Sequence, residues 1–184
     1  MSELDAIVET SLRSFYRDIC SEWCGRENEA VNLYAFGHLA KQVRPRSLLH
    51  DLTQIGIEVA VRQKPLEKFP GIVRTVRKDL VIWPVPGMNL FEANVPHNEP
   101  LAIMEWKVNH FRMRARRRKN EREHSDNVEW LREFSLRPEN RDFVGYAVLL
   151  DNLQTPRVLT CTRVHAGVRE QFFTLAEGAE SPSP

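Results

Sequence analysis

The chain has 184 residues, of which 28% are charged and 42% are hydrophobic, and its formal net charge is +1. This composition is typical of a globular domain with its own core and excludes a low-complexity chain. No run reaches the ~18 apolar residues of a membrane helix, and the acidic first residues do not match a signal peptide, so we expect no membrane association. Three cysteines are too few for a disulfide framework, which favours the cytoplasm.

Two helices are predicted at the start of the chain. Apolar residues recur every three or four positions over 4–23, which predicts an amphipathic helix that ends at Gly25. A second helix is predicted from Asn28, as its N-cap, to about Val43. The sequence RPR at 44–46 stops it, because the residue before a proline avoids the helical region.

Three strands are predicted next. Strict alternation of apolar and polar residues predicts the first over 55–62. The second is strongest over 79–83. The third is LAIMEWKV at 101–108, which follows a long irregular connection containing several prolines.

A helix and two further strands complete the predicted elements. The helix covers 125–136, with Ser125 or Asp126 as its N-cap, and the strands cover 143–150 and 157–164. This order predicts an α/β fold with a central mixed β-sheet flanked by helices.

The domain organisation follows from these elements. We expect one domain over 1–175, in which 1–24 form an extra N-terminal helix and 28–165 form the core. The polar residues 176–184 are predicted to be a disordered tail.

The third strand carries two charges in an otherwise apolar segment. Side chains alternate between faces along a strand, so Glu105 and Lys107 share a face with Leu101 and Ile103. The opposite face is also apolar, which predicts a strand covered on both sides. Charges inside such a strand cost several kcal/mol unless they are paired or bound to metal, so a functional role is favoured.

Asp79 can join these charges from the neighbouring strand. It precedes LVIW and lies 26 residues before Glu105, so two adjacent strands can bring the carboxylates together. Two close carboxylates repel each other unless a proton or a cation lies between them. Mg²⁺ prefers oxygen ligands, and Lys107 could contact a phosphate or orient a water beside it.

The segments KDLVIW and AIMEWKV, with the order of elements over roughly 28–165, resemble the PD-(D/E)XK nuclease superfamily. The resemblance implies the restriction-endonuclease-like fold. It also implies that Asp79, Glu105 and the backbone carbonyl of Trp106 bind Mg²⁺ or Mn²⁺, and that Lys107 positions or activates the attacking water.

Two further positions enter through the resemblance. Many members add a glutamate from the helix before the first strand, and here Glu29 is the best match and Glu27 the second. Lys78 stands at the position of the motif's proline, which varies widely in the superfamily.

A basic segment follows the third strand. RMRARRRKNER at 112–122 holds seven Lys or Arg residues against one acid, and we expect it to be exposed and mobile without nucleic acid. Its residues expected to contact backbone phosphates are Arg112, Arg114, Arg116, Arg117, Arg118 and Lys119. The alternative is a solvated loop or an extension of the following helix.

The expected function is a magnesium-dependent endodeoxyribonuclease that hydrolyses DNA by in-line attack of a metal-activated water. DNA is the expected partner, and a homodimer is left open. One alternative is a catalytically silent module of the same fold that binds nucleic acid or protein. Another is a structural or assembly protein whose charged strand is an interaction edge. A third has no site at all, with Glu105 and Lys107 at a solvated strand end and Asp79 paired with Arg77 or Lys78.

Overall fold

Six strands form one mixed β-sheet with helices packed on both faces. The computed structural model describes residues 1–19, 23, 25–63, 74–87, 91–92, 95–96, 99–109, 114–154 and 157–176. The helices are α1 (Glu3–Asp18), α2 (Glu27–Tyr34) and α3 (Arg114–Ser135). The strands are β1 (Ile55–Gln63), β2 (Arg74–Ile82), β3 (Phe91–Glu92), β4 (Val95–Pro96), β5 (Ala102–Asn109), β6 (Val144–Asp151), β7 (Val158–His165) and β8 (Val168–Ala176).

The sheet has the order β1-β2-β5-β6-β7-β8, while β3 and β4 pair separately. β5 and β6 are parallel, and the other neighbours in the sheet are antiparallel. A parallel pair needs a crossover connection, and α3 lies in the connection between β5 and β6. The predicted α/β class with a mixed, helix-flanked sheet is therefore confirmed, as is the presence of the first four predicted strands in one sheet.

Both faces of β5 are buried, as its sequence predicts. Met104 and Trp106 belong to an apolar cluster with residues of α1 and α2. Ile103 belongs to a second cluster with residues of α3. β5 is therefore a central strand between two layers of helices, and charges within it lie in the interior of the protein.

The first helix is shorter than predicted. α1 ends at Asp18, because Ile19 is extended and its N–H donates to the carbonyl of Phe15. The guanidinium of Arg157, which precedes β7, donates to the carbonyls of Tyr16 and Ile19. A distant residue thus satisfies the carbonyls at the end of this helix, and the apolar periodicity beyond Asp18 gives no sign of it.

The second helix begins slightly earlier than predicted. Its N-cap is Arg26 rather than Asn28, and helical structure continues beyond Tyr34 as a π-helical and a 3₁₀ segment to Gln42. The predicted end near Val43 is therefore confirmed.

The third helix begins well before its predicted cap, because it includes most of the basic segment. It starts at Arg114 and has 22 residues. Ion pairs one turn apart stabilise it, joining Arg117 to Glu121 and Lys119 to Glu123. Arg and Lys are also good helix formers, so residues 114–122 are helical, and their mobility without nucleic acid stays a prediction.

The last strand was not predicted. β8 follows β7 through a turn in which Ala166 and Gly167 both have positive φ, at 48° and 78°, as hairpin turns of two residues require. Its first four residues are exposed, and the three that follow Val168 are polar, so apolar alternation does not mark them.

Some predictions fall outside the described residues, namely those on Arg112 and on 177–184; of Arg114 the backbone alone is described. None of the helices in the described ranges has both the length and the apolar character needed to cross a membrane.

Gly145 on β6 permits the close approach of α3. A Cβ atom there would lie 2.9 Å from the Cβ of Leu131, which is closer than packed carbon atoms approach. We expect Gly145→Ala to lower the free energy of unfolding by about 1–3 kcal/mol, measured by urea denaturation.

The matched control is Gly37→Ala, in the helical segment after α2. Its Cβ would meet only the tip of Leu33 at 3.4 Å, so we expect a change between zero and about 1 kcal/mol of stabilisation. Equal effects of the two substitutions would contradict the close α3–β6 contact.

Candidate active site

The candidate site lies where β2 and β5 separate. Their ladder ends at the pair Leu80–Met104. One residue further, the carboxylate of Asp79 accepts a hydrogen bond from the N–H of Trp106, with a distance of 2.7 Å from N to Oδ2. A side chain thus replaces a ladder bond, and the strands diverge beyond it.

The Trp106 ring determines which faces the neighbouring charges take. It is fully buried and packs edge-on against Phe15, with ring centroids 5.4 Å apart, and against Tyr34 at 5.2 Å. Because side chains alternate, Glu105 and Lys107 point away from this cluster. The N–H and C=O of one strand residue face the same edge, so the Trp106 carbonyl also faces the gap beside Asp79.

The backbone of β1 changes face opposite Asp79. Ile57 packs with the α1–α2 cluster, whereas Val59 packs with the α3 cluster, although residues two apart in a strand normally share a face. Glu58, between them, has a φ of +53°. Glu58 is opposite Asp79 in register, between the pairs Ile57–Leu80 and Val59–Lys78.

Glu105 forms a buried ion pair with Lys78. The distance from Nζ to Oε1 is 2.5 Å, and each residue is 5% exposed. The ammonium also lies over the ring of Trp130 on α3, 3.4 Å from its centroid. The alternative of a solvated strand end is therefore wrong. Lys78 pairs with Glu105, and not with Asp79 as that alternative expects.

The Asp79 carboxylate lies close to Glu105, because it accepts a hydrogen bond from the N–H of the next residue, Trp106. Burial raises the pKa of Glu105 to about 7; the Lys78 ammonium opposes this shift, and the Asp79 carboxylate adds to it. Two close carboxylates and one ammonium therefore share a site, of which Glu105 and Lys78 are shielded from water and Asp79 is partly exposed.

Lys107 is held by α2. Its Nζ lies 2.8 Å from Oε1 of Glu27, the first residue of that helix. Burial alone would lower the pKa of Lys107, but the hydrogen bond and charge of Glu27, with Asp79 and Glu105, raise it above its usual value. Lys107 is therefore an ammonium at neutral pH, a hydrogen-bond donor rather than a base.

An open cleft of about 530 Å³ adjoins these residues. Side chains of both signs line it: Glu27, Glu58, Asp79 and Glu123 are acidic, and Arg26, Lys107, Arg116 and Lys119 are basic. Glu105 does not line the cleft and lies behind Asp79 on the side of α3. Asp79 and Lys107 are thus reached through an opening that is bordered by the basic side chains of Arg116 and Lys119 on α3.

The structure brings together three of the four expected catalytic residues, namely Asp79, Glu105 and Lys107. Glu29 is not part of the site: it is exposed, and its carboxylate accepts a hydrogen bond from the N–H of Arg26 at 2.8 Å. Glu27, the second match, takes the place expected of Glu29. The first residue of α2 points into the cleft, whereas the third caps the helix.

The basic residues of α3 divide by helix face. Arg116 and Lys119 line the cleft, one turn apart. Arg117 instead pairs with Asp151 at the end of β6, at 3.0 Å, and with Glu121. Arg118 is exposed and does not line the cleft.

Sequence reasoning missed four residues near the site: Lys78 as the partner of Glu105, Glu58, Glu123 and His124. Glu58 has no sequence signal, because positive φ is rare for glutamate. Glu123 lies two helical turns after Arg116 and so on the same face of α3. An earlier predicted start of this helix would have indicated that the two residues share a face. Burial and the charge of Lys107 lower the pKa of His124.

The donor atoms suit a hard cation in kind. Two carboxylates and a backbone carbonyl are oxygen ligands of the type that Mg²⁺ uses, with water completing the shell. Within the described part of the chain, no group of three or more His, Cys, Asp and Glu side chains could hold a metal ion. A cation here would therefore depend on Asp79, Glu105 and the Trp106 carbonyl. It would lie close to the Lys78 ammonium, which already contacts Glu105.

Comparisons of the chain with protein-family models, with curated proteins and with solved structures find no match. The function is therefore inferred from the geometry of the cleft.

The positive φ of Glu58 has a measurable effect on stability. Glycine adopts this conformation without strain, whereas other residues need roughly 1–2 kcal/mol. We expect Glu58→Gly to be more stable to urea than Glu58→Ala by about 1 kcal/mol.

Arg77, exposed on β2 with ordinary extended backbone, is the matched control. At this position Arg77→Ala should be more stable than Arg77→Gly by about 0.5–1 kcal/mol. The same order at both positions would contradict a left-handed Glu58.

Proposed function

We propose that the protein is a metal-dependent nuclease of the PD-(D/E)XK type that hydrolyses phosphodiester bonds in DNA. One observation carries the proposal: Asp79 on β2 meets Glu105 and Lys107 of the adjacent strand β5 where the two strands separate. A basic helix face borders the same cleft.

The order of elements supports the finer fold assignment. A helix is followed by the antiparallel strands β1, β2 and β5, then by the crossover helix α3 and the parallel strand β6. This is the order expected for a restriction-endonuclease-like core. The N-terminal helix α1 and the hairpin β7–β8 add to it.

Each residue of the site would have a separate role in the proposed reaction. Asp79, Glu105 and the Trp106 carbonyl would hold Mg²⁺ or Mn²⁺ by their oxygen atoms. A bound divalent metal would lower the pKa of an attacking water and stabilise negative charge on the phosphate. Lys107 would donate hydrogen bonds to that water or to a phosphate oxygen, and Glu27 holds the ammonium in position.

The basic face of α3 supports DNA as the proposed substrate. Arg116 and Lys119 present two cations on the cleft wall, and contacts of Lys and Arg with phosphates supply most sequence-independent affinity for DNA. DNA and a cytoplasmic location belong to this proposal, and a homodimer stays a prediction.

A second candidate is a catalytically silent module of the same fold that binds nucleic acid or protein. The Lys78–Glu105 pair favours it, because a protein cation already neutralises one of the two carboxylates. The two candidates differ in one requirement, since only the nuclease needs a divalent metal.

Lys107→Ala should abolish cleavage, with a fall of at least about 100-fold, because it removes the donor at the reacting centre. DNA affinity and stability should change little, since Glu27 stays in contact with solvent at the cleft. Asp79→Asn should also abolish cleavage at low metal concentration. It keeps an oxygen acceptor for the Trp106 N–H and loses the negative charge.

A plasmid-nicking assay across a Mg²⁺ and Mn²⁺ titration separates these roles. High metal should partly restore Asp79→Asn and should not restore Lys107→Ala. Asp79→Ala, which also loses the bond to Trp106, should be less stable than Asp79→Asn. If the parent protein shows no metal-dependent cleavage of DNA or RNA, the silent module replaces the nuclease.

The basic face of α3 should carry the salt dependence of DNA binding. Replacing Arg116 and Lys119 together with alanine should reduce the slope of log affinity against log salt by about 1.8, from roughly 0.9 per phosphate contact. Fluorescence anisotropy with a labelled duplex measures the slope.

The control is a second double variant of the same helix, with alanine at Arg118 and Arg122. Both residues are exposed and neither lines the cleft, and the loss of charge is the same. The slope should stay that of the parent. An equal decrease of the slope in the two double variants would show that the slope depends on net charge and not on the cleft residues.

A further inference from the structure

A lysine occupies the position beside two carboxylates where a cation is expected. Lys78 is 5% exposed, and its Nζ lies 2.5 Å from Oε1 of Glu105. Asp79 is next to it in the chain, and its carboxylate accepts a hydrogen bond from the N–H of Trp106, the residue after Glu105. The ammonium and the two carboxylates thus form one compact group.

The lysine is held in this position from the opposite side as well. Its ammonium lies 3.4 Å from the centroid of the Trp130 ring, and an aromatic face attracts a cation. Trp130 in turn stacks on Phe134, with ring centroids 4.9 Å apart, in the core beneath α3. The position of Lys78 is therefore determined by the core as well as by the charge of Glu105.

Stability alone does not account for this arrangement. Replacing a buried ion pair by apolar residues of similar size is often neutral or stabilising, because removing both charges from water opposes their attraction. An apolar side chain at position 78 could pack against Trp130 as well. The charge of Lys78 is therefore better explained by an action on the two carboxylates than by stability.

We propose that the Lys78 ammonium is the resident cation of this site in the metal-free protein, and that a divalent metal binds only by displacing it from Glu105. The inference rests on the proposed function, because it takes Asp79 and Glu105 as metal ligands. Lys78 then regulates the site by setting its metal affinity.

The expected effect of Lys78 follows from charge balance. A metal that takes Glu105 leaves a buried ammonium without its carboxylate, which opposes metal binding. The ammonium also repels the metal at short range. Removing this charge should strengthen metal binding even though it adds no ligand.

The experiment measures Mn²⁺ binding by electron paramagnetic resonance, which reports free Mn²⁺ and does not depend on cleavage. The test variants are Lys78→Met and Lys78→Gln. The glutamine can still donate a hydrogen bond to Glu105, so it serves where the methionine variant fails to fold. Circular dichroism checks the fold of each.

Two control variants bracket the result. Arg77→Met removes one positive charge from the adjacent residue of β2, which is exposed. Glu105→Gln removes a proposed ligand. We expect Mn²⁺ to bind Lys78→Met or Lys78→Gln at least about tenfold more tightly than the parent, and Arg77→Met within about twofold of it. Glu105→Gln should bind more weakly than the parent.

Each outcome has a distinct consequence. Unchanged affinity in both Lys78 variants, with Mn²⁺ binding by the parent, overturns this inference and leaves the proposed nuclease intact. A gain in Arg77→Met equal to that in the Lys78 variants overturns it as well. Binding in the Lys78 variants with none in the parent supports it and favours the silent module. No binding in any variant overturns both proposals.

Discussion

The hydrogen bond from the Trp106 N–H to the Asp79 carboxylate is the constraint on which the site depends. It joins β2 and β5 just past the end of their ladder, so that the strands stay in register and then separate. The gap admits the side chains of α2 and α3, and the cleft forms there. The same bond holds Asp79 beside Glu105, and the buried Trp106 ring sets the faces of its two neighbours.

The charges around this bond form two linked pairs. Lys78 with Glu105 lies within the core under α3, and Lys107 with Glu27 lies at the cleft. Asp79 stands between them and interacts with both lysines. This arrangement lets the interior hold several charges without metal, because each ammonium has a carboxylate partner. It also means that any ligand at Asp79 and Glu105 acts on the whole group.

The helix α3 combines structural and binding roles along one basic sequence. Arg117 joins the helix to the end of β6 through Asp151, and Asn120 donates to the carbonyl of Val108 on β5. Arg116 and Lys119 face the cleft instead. Counting charges predicts repulsion and a mobile segment. The periodicity of the helix separates those charges onto different faces, where acids from the same helix and from the sheet pair with some of them.

The sequence by itself determined the α/β class and the positions of the central strands. It also indicated Asp79, Glu105 and Lys107 as residues of the candidate site. These follow from local periodicity and from the cost of burying charge. Only the tertiary structure decided the rest. The choice of Glu27 over Glu29 depends on which side of α2 faces the cleft, and the partner of Lys78 depends on the approach of Trp130 from α3. The end of α1 at Asp18 depends on Arg157, which lies more than a hundred residues along the chain. Contacts between distant segments leave no periodic pattern in either segment, so no local pattern could have predicted them.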